Sequence, residues 1–292
     1  MRALIAALLM LAAPALATCA PRPQGEPALW RIVDGDTEIW LFGTAHMLRP
    51  ELRWRGPRVN AAFAAAEELV TETDTSLEGI AAAQAHSTRL GMLAPGETLA
   101  GRLDAATRAR LAQVAETLHV DPSELEPMRP WLAALRLSYA YALSRGMRPE
   151  AGVESVLSEE ARARGMRLSF FETPEQQVRF LADLAPAAEV RLLADTLREI
   201  EAGDDALDAL DTLWARGDTD ALARLFDAQW QAGSPELHAA IILNRNRAWA
   251  DDITRRLDGE GRAFIAVGAA HLVGEGNVIA LLRERGIVVE GP

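Results

Sequence analysis

Two short stretches share one plan: LFGTAH at residues 41–46 and AVGAAH at residues 266–271 are both apolar runs that stop at Gly-x-x-His. Glycine without a Cβ permits a tight turn and the close approach of backbone, metal or substrate, so His46 and His271 are expected just past two strand ends. Acidic residues end two further apolar runs, with Glu72 and Asp74 in VTETD and Glu172 in FFET. A period of two puts Glu72 and Asp74 on one face. Two imidazoles with one or two carboxylates are a natural donor set for a divalent cation that keeps a position open for water. Taken singly, each of these residues has a plainer reading, as a packed or exposed histidine, a helix cap or a solvated acid. The repetition of the pattern is what favours the chemistry. The other three histidines, His86, His119 and His238, lie in helical stretches without such surroundings and read as surface or packing residues. In NRNR at residues 244–247, Arg245 and Asn246 could grip a carboxylate or orient a polarised carbonyl, or could form a charged solvent face.

Positioning four polar groups at four strand ends requires an open α/β sheet, where ligands sit at the carboxyl edge. Asp34-Gly35-Asp36 between two apolar runs signals a hairpin, and its second strand, residues 38–42, leads into Gly43. A helix over 58–68 and a strand over 69–72 follow. From about 77 to 225 apolar residues recur three and four apart, predicting a long helical insertion, interrupted by one strand at 166–171. Thr173-Pro174-Glu175 reads as a helix start. A long helix is expected over 235–257, then the apolar strand ending at His271, a helix over about 278–285 and a closing strand, IVVE. The expected fold is α/β, a central mixed β-sheet with flanking helices and that insertion, in a single domain over 28–292.

Residues 1–17, MRALIAALLMLAAPALA, join a basic start, an apolar run and small residues, the pattern of a signal peptide. The run is short for a membrane span, which needs roughly 20 apolar residues. Export to the periplasm or the extracellular space is expected. A Pro-rich linker follows over 18–27. Cys19 is the only cysteine, so no intramolecular disulfide can form. Two readings stand for it: cleavage after Ala17 or Ala20, or lipidation of Cys19 as a membrane tether. Loss of Arg2 with the leader moves the formal net charge from −12 to −13. So acidic a chain is unsuited to nucleic acid, and its partner is expected to be a peptide or small-molecule substrate.

LFGTAH, VTETD, MRPW at 128–131, FFETPEQQ at 170–177, RNRAWADDI at 245–253 and VGAAHLVGEGNVIALLRERG at 267–286 together resemble the TraB/GumN family, in that order and over about residues 30–289. The resemblance implies an α/β fold related to the Tiki metalloproteases, and more distantly to erythromycin esterases and ChaN-like haem-binding proteins. It also implies that His46, His271 and Glu72 are metal ligands or catalytic groups, with Arg245 an electrostatic stabiliser. Where many relatives carry Gly-Val-Asp, this chain has Gly152-Val153-Glu154. The side chain is one methylene longer, and Glu154 is not expected to be a ligand.

The leading expectation is an exported metal-dependent hydrolase of the peptidase type. A manganese, cobalt or zinc ion would be held by His46, His271 and Glu72, with Glu172 or Glu275 as general base and Arg245 at the oxyanion. A non-catalytic haem or metal carrier is the alternative; the aromatic content of 5 % is low for a haem pocket. A role in envelope polysaccharide assembly rests on the family name alone.

Overall fold

A computed structural model describes residues 26–203 and 205–292, the side chains at 205–207 and 232 excepted. The leader, Cys19 and most of the linker therefore lie outside the described residues. Among the described residues no helix is long and apolar enough to cross a membrane.

The fold is mixed α/β, built on a five-stranded sheet. Strand β1 (Leu29–Asp34) turns into β2 (Thr37–Thr44) with Asp34 paired to Thr37. Gly35 takes a φ of 55° at the first position of the two-residue loop while Asp36 does not go positive, the pattern of a type II′ turn. Strands β3 (Glu68–Thr71), β4 (Arg167–Phe170) and β5 (Gly261–Gly268) complete the order β1-β2-β5-β3-β4. Only the β1–β2 pair is antiparallel. The four parallel strands β2, β5, β3 and β4 consequently end on one edge.

Strands β2 and β5 are buried along nearly their whole length, as expected when helices cover both faces of a parallel sheet. Phe42 and Phe264 meet at 5.7 Å between ring centroids, and Phe63 from the helix Pro57–Ala65 stands edge-on to Phe264 at 5.3 Å. Burying one such ring stabilises the fold by about 1.5–3 kcal/mol. Trp214, on the helix Asp205–Arg216, donates its indole N–H to the Gly43 carbonyl at 2.8 Å, docking that helix on the end of β2.

The segment from Leu77 to Ala232 is helical apart from β4 and short connections. Part of it has a separate apolar core, with Leu99, Leu125, Leu137, Leu193 and Leu197 all buried. Thr173 accepts from the Gln176 N–H and Gln176 reaches back to the Thr173 N–H, a reciprocal cap that starts the helix Pro174–Ala182 directly after Glu172.

Two expectations change. The helix expected over 235–257 contains a π-helical stretch, Ala239–Leu243, ahead of Asn244–Arg256. IVVE forms no closing strand: it makes a single antiparallel bridge, Arg31 to Glu290. Of this segment only Glu290 pairs, exchanging two backbone hydrogen bonds of 2.9 Å with Arg31 on the outer edge of β1.

Candidate functional site

At the carboxyl edge of the sheet the chain stops being apolar at four adjacent strand ends. His46 follows β2 by two residues, Glu72 follows β3 directly, Glu172 follows β4, and His271 closes a 3-10 turn (Ala269–His271) after β5. Gly268 shows why the motif needs glycine. A Cβ there would stand 3.1 Å from Glu72 Oε1, 3.5 Å from His46 Nε2 and 3.5 Å from His271 Cδ2. The Gly268 N–H donates to Glu72 Oε1 at 2.7 Å.

A fifth element contributes Glu154, in the first turn of the helix Val153–Ala163. The Val153 N–H donates to the Ala45 carbonyl at 3.0 Å, and a Cβ on Gly152 would collide with the His46 carbonyl oxygen at 2.1 Å. Gly152 thus lets the helix start directly on the loop that carries His46. Glu154 Oε1 lies 2.7 Å from His46 Nδ1 and accepts from the Thr44 hydroxyl. Its Oε2 is buried without a partner. One ligand atom each from His46, Glu72 and Glu154 lie within 4.8 Å of one another. Nitrogen with carboxylate oxygens suits a first-row divalent cation, and an orphaned buried carboxylate oxygen is a group that calls for a partner.

The structure therefore differs from the expectation that set Glu154 aside. The extra methylene does not keep its carboxylate from the cluster, because the helix N-terminus is docked against residues 45 and 46. The Gly-Val-acid signal was present in the sequence; the longer side chain was the reason it was set aside.

Behind the cluster lies a buried network centred on Arg245. Nε and Nη2 donate to the two oxygens of Glu172 at 2.7 and 2.9 Å, and Nη2 also donates to Glu72 Oε2 at 2.5 Å. Nη1 donates to the Ile241 carbonyl at 3.1 Å and faces His271 Nε2 at 3.2 Å. All five guanidinium donors are taken. The plane also lies over the Trp249 and Phe180 rings, at 4.7 and 5.1 Å. Arg245 has no donor left for a substrate oxyanion, so the expected stabiliser is a positioning residue that fixes Glu72, Glu172 and His271.

Glu172 is likewise committed. Trp249 Nε1 donates to Oε1 at 3.0 Å beside the two Arg245 bonds. Burial pushes its carboxyl pKa up against the opposing pull of Arg245. With both oxygens engaged it is poorly placed as the general base expected of it. Glu275, the other expected base, is exposed, and its own N–H donates to Asp227. The tight turn at Gly274 and Gly276, both with positive φ, carries it out of the buried network.

His271 has Nδ1 2.6 Å from Asn246 Oδ1, while the Asn246 amide nitrogen donates to the Gly276 carbonyl at 2.9 Å. This orients Asn246 to accept, so Nδ1 carries the proton and Nε2 accepts from Arg245. Burial, together with Arg245 and His46, pushes the imidazole down to about 3, keeping it neutral. Its Nε2 is 3.9 Å from Glu72 Oε1, beside the cluster but turned to Arg245. His46 is displaced the other way: its side chain is largely exposed, and the Glu154 carboxylate against Nδ1 raises it, with Glu72 adding to the rise. For Glu72, burial alone would raise the carboxyl; Arg245, the charged His46 and the Gly268 N–H outweigh it and hold the group ionised. Asp74 does not join Glu72: its carboxylate accepts from the N–H and hydroxyl of Ser76 at the start of the helix Leu77–Gly91.

With the strand-end geometry in place, residues 28–291 match the TraB/PrgY/gumN family. The chain belongs to that family. It is 26 % identical over 268 residues to the uncharacterized protein YbaP of Escherichia coli K12, covering 89 % of this chain and 95 % of YbaP. The Shigella flexneri YbaP shows the same identity and coverage. No solved structure gives a significant match.

Proposed function

We propose that this TraB-family chain is an exported metal-dependent hydrolase that cleaves an amide bond of a peptide at the His46–Glu72–Glu154 cluster. The observation that supports this most directly is the approach of those three ligand atoms within 4.8 Å, at the edge where four strands end. The unpartnered Glu154 Oε2 and the cradle above Gly268 fit a bound cation. A divalent ion of the manganese, cobalt or zinc type would there polarise a carbonyl and lower the pKa of a water.

The chain's own groups prepare the place. Glu154 and Thr44 set the orientation of His46. Arg245 and the Gly268 N–H hold Glu72 ionised and aimed, a supporting shell of the kind that metal ligands need. Asn246 fixes His271 as a neutral imidazole, and Trp249, 4.4 Å away between ring centroids, packs against it. The haem reading finds less support, since both nitrogens of His271 are engaged.

Elemental analysis of protein purified without chelator, beside His46→Ala and Glu154→Ala, tests the proposal. Near-stoichiometric divalent metal in the wild type, lost in both variants together with hydrolysis of blocked peptides, is the expected result. Equal metal and equal hydrolysis in all three would defeat it.

A further inference from the structure

A cavity of about 380 Å³ lies within the helical insertion, and none of the strand-end residues lines it. Three helices each present one face to it, at the three- and four-residue spacing that stacks side chains along a helix. Ser138 and Ala142 come from Pro130–Ser144, Thr196, Glu199 and Ile200 from Pro186–Ala202, and Leu225 and Gln229 from Thr219–Ala232. Leu210, on the helix Asp205–Arg216, completes the wall and also borders the cavity that holds His46 and Glu72, so the two spaces adjoin at that side chain. The gap has a cause in the sequence: Ser138, Ala142 and Gly203 carry too little side chain to fill it. Its size is that of small-molecule pockets, roughly 300–1,000 Å³.

Depth sorts the lining by polarity. Ile200 and Thr196 are buried, and Ile200 belongs to the separate apolar core of the insertion. Ala142, Leu210 and Leu225 are half-buried, whereas Ser138, Glu199 and Gln229 are exposed. A mostly apolar interior thus opens on a polar mouth. Among the described residues Glu199 is the one charged side chain on the lining. Its hydrogen-bond partner is a neutral amide: Gln229 Nε2 donates to Oε1 at 3.2 Å. A carboxylate accepts more than one such bond, and the Gln229 amide oxygen is a further acceptor at the same mouth. Such a set suits an ammonium, which brings three donors and no acceptor, and its bonds to a carboxylate are of the stronger, charge-assisted kind. A carboxylate ligand would meet Glu199 as a like charge, and the formal net charge of −12 disfavours an anion further.

We infer that this cavity is a second ligand site, separate from the strand-end cluster, for a small apolar molecule that bears a primary amine. Its hydrocarbon part lies between Ala142, Ile200 and Leu225, and its ammonium sits at the mouth on Glu199. The site stands on the geometry of the insertion and does not depend on the hydrolase reading.

Calorimetric titration of the purified protein with octylamine, 1-octanol and octanoate at neutral pH tests it, because the three share a tail and differ in the head group. Octylamine should bind at least tenfold more tightly than either of the others. Glu199→Gln should bring octylamine down to the affinity of octanol. Ala142→Phe, whose ring occupies the gap, should weaken octylamine at least tenfold. A thermal scan of each variant reports folding, and should Ala142→Phe fail to fold, Glu199→Gln at the exposed mouth decides. No binding of octylamine, equal affinity for the three compounds, or an octylamine affinity unmoved by Glu199→Gln would overturn the inference.

Discussion

Arg245 grips Glu172 with two parallel hydrogen bonds, at 2.7 and 2.9 Å, in a site where both side chains are buried. The same guanidinium holds Glu72, so one cation compensates two carboxylates that come from neighbouring strand ends. Bidentate geometry makes such pairs strong and directional, and removal of one partner leaves buried charge unpaired.

Arg245→Ala should therefore destabilise the fold by about 3–5 kcal/mol, the range for breaking a buried ion pair. Arg245→Lys should recover only part of this, because an ammonium cannot reproduce the fork. Urea denaturation of the three proteins measures it. A loss below about 1 kcal/mol for the alanine variant would contradict the network described here.

Gly268→Ala separates site from fold. The backbone there has a φ of −48°, which alanine accepts, and the nearest atom to the new methyl would be Glu72 Oε1 at 3.1 Å. The protein should fold with a melting temperature near that of the wild type, yet bind divalent metal at least tenfold more weakly, since the methyl fills the space between Glu72 and His46. Titration with manganese or zinc, beside a thermal scan, reads both quantities. Undiminished metal binding would place the cation elsewhere.

His271 and His46 should respond differently to alanine substitution. His46 belongs to the ligand cluster, whereas the nitrogens of His271 are given to Asn246 and Arg245. His46→Ala should abolish stoichiometric metal. His271→Ala should retain most of the metal while lowering stability, because Asn246 and Arg245 lose a buried partner. If His271→Ala strips the metal as fully as His46→Ala, His271 is itself a ligand and Arg245 yields to the cation.

Asp211, which accepts from Arg49 at 2.9 Å, gives a pH signature. Burial raises its carboxyl to about 6, against the lowering effect of Arg49 and with help from Asp208. A folded-state pKa above the unfolded value of about 3.9 means that the folded chain binds the proton more tightly. This contribution is fully present below about pH 4 and is lost as the pH rises to about 6. Asp211→Asn should remove that dependence, at most about 2 kcal/mol between pH 4 and pH 7. Denaturation at both pH values, wild type against variant, checks it; an unchanged difference would mean that the carboxyl titrates normally.

Much of the fold was legible because it rests on local signals. The turn at Asp34-Gly35-Asp36 and the helix start at Thr173-Pro174-Glu175 both formed where the chain announced them. The closing IVVE segment was misread because a β-rich tetrapeptide says nothing about whether a strand edge is within reach, and only Glu290 pairs. The π-helical stretch ahead of Arg245 left no periodicity to detect, since five residues of AAIIL suit a helix of either pitch.

At the site, the sequence by itself determined that His46, Glu72, Glu172 and His271 stand at strand ends, because an apolar run that stops at glycine or at an acid is a local pattern, and parallel strands end on one edge. Tertiary structure alone decided which lone pair meets which donor. The docking of Gly152 on the His46 carbonyl brought Glu154 into the cluster. The crossing of the helix Asn244–Arg256 behind the sheet edge spent every donor of Arg245 on the protein itself. The tight turn after His271 left Glu275 in solvent. Such outcomes depend on where separate elements pack, and side-chain roles at a junction of five elements follow from that packing, whereas hydropathy and spacing report only on each element alone.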